Sequence, residues 1–323
     1  ELKGLNSFRT PSHIAGILLN NCTARMHALL APMLEKETGL PVLGFLPKLP
    51  EAVIGSRHLG LYTAAEVENL QQKLALLADA AEEHIDWPRL LALCEKEPPA
   101  LPVQPETPPA RVRIAVAQDE AFCFTYAETL EAFRDAGAEV VFFSPLRDTA
   151  LPENIGGLYL PGGYPELYAR PLSENKTMRD AIRDAVNGGL PTVAECGGFL
   201  YLHTTLTDRE GHSYPMAGVL PGKCFDTGHL VRFGYIELEE NSGYFMPRGS
   251  RIRAHEFHYY DSEDNGADCI ATKPSTGRNY PCIHVGENHW YGFPHLYYPS
   301  CPEFAERFVE NAKKFSKSGK DVL

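Results

Sequence analysis

The sequence predicts an α/β chain made of two open-sheet units, each with buried parallel strands covered by helices. Three observations lead there. Short continuous apolar runs alternate with segments whose apolar residues recur every three or four positions, the pattern of strand–helix–strand units. A proline-crowded stretch at residues 95–110, EKEPPALPVQPETPPA, splits that pattern in two. Cys196 closes one apolar run and is followed at once by Gly197 and Gly198, as where a strand turns sharply into a helix.

Taken in order, Ile14–Asn20 reads as a strand buried on both faces, and Ala24 to about Thr38 as a helix. Met26, Leu29, Leu30, Met33 and Leu34 recur along that helix at 3–4 spacing, and Gly39 ends it. Pro41–Leu46 is a second strand. Residues 63–95 add one or two helices, with Leu70, Leu74, Leu77 and Ala80 on one face. This first unit, residues 1–94, reads as the tail of a larger α/β domain. Residues 95–110 are a semi-rigid linker, and a second unit fills 111–323. There, Val112–Ala117, Glu139–Phe143 and Gly157–Leu160 are strands. Helices are expected at about Thr125–Ala136, stopped by Gly137, and from Ser173 as N-cap to Asn187. Thr192–Ala194 is the strand that delivers Cys196. Such an order implies right-handed crossovers and a reactive crevice at the strand carboxyl ends. Beyond residue 217 the pattern turns strand-rich and irregular, until a closing helix at about Pro302–Phe315.

The chain's 323 residues are enough for two cores, and 44% hydrophobic with 22% charged residues is ordinary globular composition. A net charge of −12 argues against nucleic-acid or membrane-surface partners. No apolar run approaches the ~20 residues of a membrane span, and no signal peptide is visible. The chain starts at Glu1 without an initiator Met, which predicts a segment upstream. Its eight cysteines, at 22, 94, 123, 196, 224, 269, 282 and 301, include no C-x-x-C pair, so reduced cysteines and a cytoplasmic setting are expected.

Cys196 is the candidate nucleophile. A cysteine at a strand's end, exposed and facing the positive end of a helix, is expected to favour the thiolate. Leu160–Glu166, LPGGYPE, places two glycines at another strand end. Their N–H groups, with the one after Cys196, could meet a developing oxyanion, although the same glycines also suit an ordinary turn. A base is needed as well, and His255, His258, His284, His289 and His295 are available. His295 precedes the last helix in a loop free to reach Cys196. His255 and His258 have the i, i+3 spacing of helical metal ligands, but their aromatic flanks favour a strand or turn and no metal is expected. Gly218–Cys224 superficially resembles a phosphate loop. Its glycines are one residue too close and Cys224 replaces the Ser or Thr, so G-x-x-x-x-G-K-S/T is absent.

PGGYPELYA (161–169), AECGGFLYL (194–202), Y-x-M-AGVLPG (214–222), RAHEFHYY (253–260) and PHLYY-x-S (294–300), in this order, resemble the cobyrinate/cobyrate family of triad-type (class I) glutamine amidotransferases, in particular its a,c-diamide-forming branch. HIAGILLN (13–20), GLPVLGFLP (39–47) and RHLGL (57–61) resemble the carboxyl end of that family's ATP domain. The resemblance implies a flavodoxin-like open sheet for the amidotransferase domain, preceded by the C-terminal part of a dethiobiotin-synthetase-like P-loop α/β domain. It implies a ligase in cobalamin biosynthesis in which glutamine supplies ammonia. ATP and Mg²⁺ then drive amidation of the a and c carboxylates of cobyrinate.

Carried over residue by residue, Cys196 would form the glutamyl thioester, with His295 as its base. The Gly163 and Gly197 N–H groups would hold the oxyanion. Asn20 would contact adenine, and Arg57 and His58 would meet substrate carboxylates. Tyr297 stands where the family more often has a second histidine and other triad enzymes have glutamate, so a Cys–His dyad is expected. With the phosphate loop missing, this chain is expected to be a C-terminal part that hydrolyses glutamine and relies on the missing synthetase portion. Its partners would be glutamine and a corrinoid, with a homodimer left open and no cofactor in the glutaminase domain. Hydrogenobyrinate or a nickel sirohydrochlorin as substrate, a non-catalytic binding module, and a general cysteine hydrolase are the competing readings.

Overall fold

The computed structural model describes residues 1–57, 60–61, 64, 67–97 and 109–318. The chain forms two compact units, Glu1–Gln104 and Pro105–Leu323. No helix among the described residues is long and apolar enough to cross a membrane.

The first unit contains α1 (Leu2–Ser7), β1 (Ile17–Leu19), α2 (Ala24–Thr38), β2 (Val42–Phe45), β3 (Ser56–Arg57), β4 (Gly60–Leu61), α3 (Leu70–His84) and α4 (Trp87–Cys94). Thr23 caps α2 by accepting from the Met26 N–H, and Gly39 closes it in the left-handed conformation, φ 72°. β1 and β2 pair in parallel, and β2 is buried throughout. The apolar face expected of α2 is not buried: Met26, Leu29 and Met33 are exposed, as are Leu74 and Leu77 of α3. A two-stranded sheet is too narrow to cover both helices.

The second unit is built on a six-stranded sheet in the order β17-β18-β8-β7-β5-β6. Its strands are β5 (Val112–Ala117), β6 (Ala138–Phe143), β7 (Ile155–Leu160), β8 (Thr192–Glu195), β17 (His284–Gly286) and β18 (His289–Gly292). All neighbours run parallel except β17. Helices α5 (Ala127–Asp135), α6 (Ala169–Glu174), α7 (Lys176–Asn187), α8 (Gly197–Leu202) and α9 (Pro302–Lys317) complete the layers. Phe304, Phe308, Val309 and Ala312 of α9 lie in one core with Val112, Ile114 and Val116 of β5, while Met178 and Ile182 of α7 belong to a second core. The helix expected from Ser173 is instead two. Ser173 lies in the last turn of α6, and Asn175 caps α7 by accepting from the Met178 N–H.

The strand-rich remainder makes two further sheets. A four-stranded one, β10-β9-β11-β14, uses β9 (His203–Thr207), β10 (Ser213–Pro215), β11 (Leu220–Asp226) and β14 (Tyr260–Ser262). The decoy phosphate loop runs into β11, where Lys223 pairs with Glu263. A five-stranded antiparallel sheet, β16-β15-β12-β13-β19, uses β12 (Arg232–Glu240), β13 (Arg251–His258), β15 (Cys269–Thr272), β16 (Asn279–Cys282) and β19 (His295–Leu296).

Candidate active site

Cys196 sits between β8 and α8 with φ 46° and ψ −103°, an uncommon conformation for a residue with a side chain. Its N–H donates to the Gly292 carbonyl (2.8 Å) and its own carbonyl accepts from the Leu200 N–H (2.9 Å), which fixes the turn from both sides. The glycines around it are required by close approach. A Cβ on Gly198 would lie 2.1 Å from the Leu160 carbonyl oxygen, and one on Gly163 would lie 2.1 Å from that of Ala121. A Cβ on Gly197 would lie 2.9 Å from the Gly163 nitrogen, so the two candidate oxyanion donors belong to backbone segments in contact.

His295 arrives on β19, whose two residues pair antiparallel with β13, His255 opposite His295. Its ring rests on the glycine loop: a Cβ on Gly162 would lie 2.3 Å from His295 Cε1. The His255 ring stacks on it with centroids 4.8 Å apart and planes 9° apart. The loop 161–163 therefore touches both the turn carrying Cys196 and the imidazole of His295.

The expected resting thiolate is not what this environment favours. Cys196 is buried, and burial pushes its thiol well above its ordinary range; Glu166 adds to the rise while the Gly197 N–H opposes it. A single-turn helix end does not outweigh that desolvation, so the thiol needs a base. Burial, with His255 and His258 nearby, pushes His295 down to about 3, which leaves the ring neutral near pH 7. Its Nδ1 is buried without a hydrogen-bond partner, so no carboxylate orients the ring through that nitrogen.

The other histidines serve packing or hydrogen bonding. His258 stacks on Phe293 with centroids 3.9 Å apart and directs Nδ1 at the Tyr260 carbonyl (2.7 Å). His284 Nε2 lies 3.2 Å from the Asp264 carbonyl, and His289 stacks on Tyr291. His255, half-buried, meets the Tyr126 hydroxyl at 3.5 Å and lines a cleft of about 590 Å³ with Tyr235, Arg253 and Tyr297. Tyr297 is more than half exposed and faces this cleft.

One residue of the site was not singled out from the sequence. Glu195, directly before Cys196, is 1% exposed and accepts from the hydroxyls of Tyr159 and Tyr298, each at 3.1 Å. Burial pushes its carboxyl up to about 8, against the pull of the Tyr298 and Tyr159 hydroxyls and the Leu296 N–H. An acidic residue at the end of an otherwise apolar strand was the available signal.

The residues expected to bind nucleotide and substrate lie in the first unit. Asn20 follows β1 and its Oδ1 accepts from the Asn21 N–H (3.0 Å). Arg57 ends β3, and His58 lies outside the described residues, as does most of the 95–110 linker.

Residues 113–284 match the CobB/CobQ-like glutamine amidotransferase domain. The chain is 38% identical over 309 residues to the cobyrinate a,c-diamide synthase of Caldanaerobacter subterraneus subsp. tengcongensis, covering 94% of this chain and 68% of that protein. It is 32% identical over 328 residues to the protein of the same name from Priestia megaterium, covering 100% of this chain and 71% of that one. A crystal structure of a glutamine amidotransferase superposes with a TM-score of 0.44 at 18% identity, over 62% of this chain and 98% of that one. By its sequence, the chain belongs to the CobB/CobQ-like glutamine amidotransferase family.

Proposed function

We propose that this chain supplies the glutaminase half of a cobyrinate a,c-diamide synthase, with Cys196 as nucleophile and His295 as its base. The observation that carries the chemistry is a strained cysteine turn and a neutral, buried histidine meeting on one glycine loop. The substrate rests on the relatives' name and the extent of the match.

In the first step His295 takes the Sγ proton as sulfur bonds to the amide carbon of glutamine. The carbonyl oxygen becomes an oxyanion facing the Gly163 and Gly197 N–H groups. Collapse breaks the C–N bond. The proton held by His295 goes to the leaving nitrogen, which departs as ammonia. Water, giving a proton to His295, then bonds to the thioester carbon; the C–S bond breaks to release glutamate, and the proton on His295 returns to Sγ.

Amidation itself needs activated carboxylates, and here the residues present do not fit ATP with Mg²⁺. Asn20 is available at the end of β1, but the sequence has no glycine loop with a following Lys-Ser/Thr. The ATP-dependent step therefore needs a synthetase portion that these 323 residues do not supply. Exposed Leu18, Met26, Leu29 and Met33 in the first unit are the apolar surface on which further synthetase structure would pack.

Incubation with a glutamine-analogue diazo-ketone should label Cys196 alone among the eight cysteines. Labelling spread over exposed Cys94 and half-buried Cys123 would overturn the nucleophile assignment. With the synthetase partner, cobyrinate, glutamine and ATP, the expected product is the diamide. Glutamine consumed without diamide would remove the substrate assignment and leave the glutaminase.

A further inference from the structure

His295 has no acid behind it: Nδ1 is buried and unpartnered, and Tyr297, two residues on, faces an outer cleft. Something else must fix the imidazole relative to the thiol. β19 contributes only two paired residues, too few to hold a catalytic ring by ladder hydrogen bonds alone.

The carboxyl group of Glu195 stands where the three strand ends of the site converge. Oε2 accepts from the hydroxyl of Tyr159, the penultimate residue of β7, which leads into the Gly162–Gly163 loop. Oε1 accepts from the hydroxyl of Tyr298, three residues after His295. The Leu296 N–H, on the residue next to His295, lies near enough to the same carboxyl to oppose the rise in its pKa. Glu195 itself ends β8 and is bonded covalently to Cys196. Two hydroxyl donors meeting one carboxyl group, with water excluded, fix its geometry on both oxygens.

Resting on the Cys196–His295 reading, we propose that Glu195 is a positioning residue. Its carboxyl group ties the strand ends bearing Cys196, His295 and the glycine loop into one unit and so holds the imidazole toward the thiol. It does not touch the reacting atoms. A glutamine at this place would offer one acceptor oxygen and present N–H groups to a donor already there.

The test uses the full chain with Glu195→Gln and Tyr298→Phe. In E195Q, kcat for glutamine hydrolysis should fall about tenfold or more while KM stays within about threefold, as for a lost alignment rather than lost binding. Y298F, which deletes one hydroxyl and keeps the ring, should show a smaller loss of the same kind and carries the test if E195Q does not fold. The ¹⁵N signals of the His295 imidazole give a reading that does not need activity. In the variants the ring, no longer held in its buried seat, should titrate closer to the ordinary histidine range. Wild-type kcat together with an unmoved His295 titration in both variants overturns the proposal. A wild-type chain that leaves glutamine untouched removes the glutaminase reading, and the titration still decides whether Glu195 positions the ring.

Discussion

Cys196 leaves the end of a strand with parallel neighbours on both sides, whereas His295 enters on a two-residue strand at the edge of an antiparallel sheet. The first sheet fixes its residue locally. β8 is buried at every position, Gly292 and Leu200 hold the backbone of Cys196, and neighbouring backbone leaves no room for a Cβ on Gly197 or Gly198. The second sheet contributes little by itself. His295 is seated by the His255 ring, by Gly162 and by the residues bonded to Glu195, which come from distant parts of the chain. A nucleophile can be built into one turn, but its base is placed by tertiary structure, so damage should be abrupt on one side and graded on the other.

The largest effect belongs to the turn. Cys196→Ser keeps the shape of the site but replaces a good nucleophile by a hydroxyl with no stronger base to activate it. Steady-state glutamine hydrolysis should fall by roughly 10³-fold or more. A variant retaining a tenth of the activity would move the chemistry elsewhere. His295→Ala comes next, with an expected loss of roughly 10²-fold in kcat, typical of a missing general base. Unchanged turnover there would point to His255, the other imidazole in the stack. Gly162→Ala tests the seat of the base without touching either reacting side chain. Its Cβ would lie 2.3 Å from His295 Cε1, so the ring must move. A shift of about 1 Å should cost roughly 10-fold in kcat with a smaller change in KM.

The same contrast explains what could be read from the sequence. The parallel sheet was legible because burial on both faces leaves short apolar runs such as Gly157–Leu160 and Thr192–Ala194, all buried. The turn at Cys196 was legible because the apolar run before it stops at a glycine pair. The antiparallel sheet was not, since its strands alternate, as in Arg251–His258, and pair over distances that local pattern does not encode. His295 was found through its motif rather than from periodicity. The thiolate expectation failed because it weighed a helix end and overlooked desolvation, which only the packed structure reveals. Similarly, the apolar faces of α2 and α3 were read correctly as stripes, but whether a stripe is buried depends on what stands opposite.

The smallest effect is in stability, and its sign differs between the two sheets. His295 falls from its ordinary 6.5 to about 3 on folding, so between those values the unfolded chain binds more protons. Its contribution is therefore fully present above pH 6.5 and is lost as pH falls toward 3. Glu195 rises from 4.5 to about 8, so the folded chain binds more protons across that interval. Its contribution is fully present below pH 4.5 and is lost as pH rises through 8. One proton corresponds to at most about 1.4 kcal/mol per pH unit, and the two slopes oppose each other between 4.5 and 6.5. His295→Gln should thus flatten the loss of stability on the acid side, most clearly from pH 3 to 4.5. Glu195→Gln should flatten the decline from 6.5 to 8. Urea unfolding at each pH, with the m-value held constant, reads both differences against the wild type. If H295Q kept the wild-type acid slope, the imidazole would already be wet and protonatable in the folded chain. The edge strand would then be looser than its ring contacts imply, and the graded losses expected around His295 would shrink accordingly.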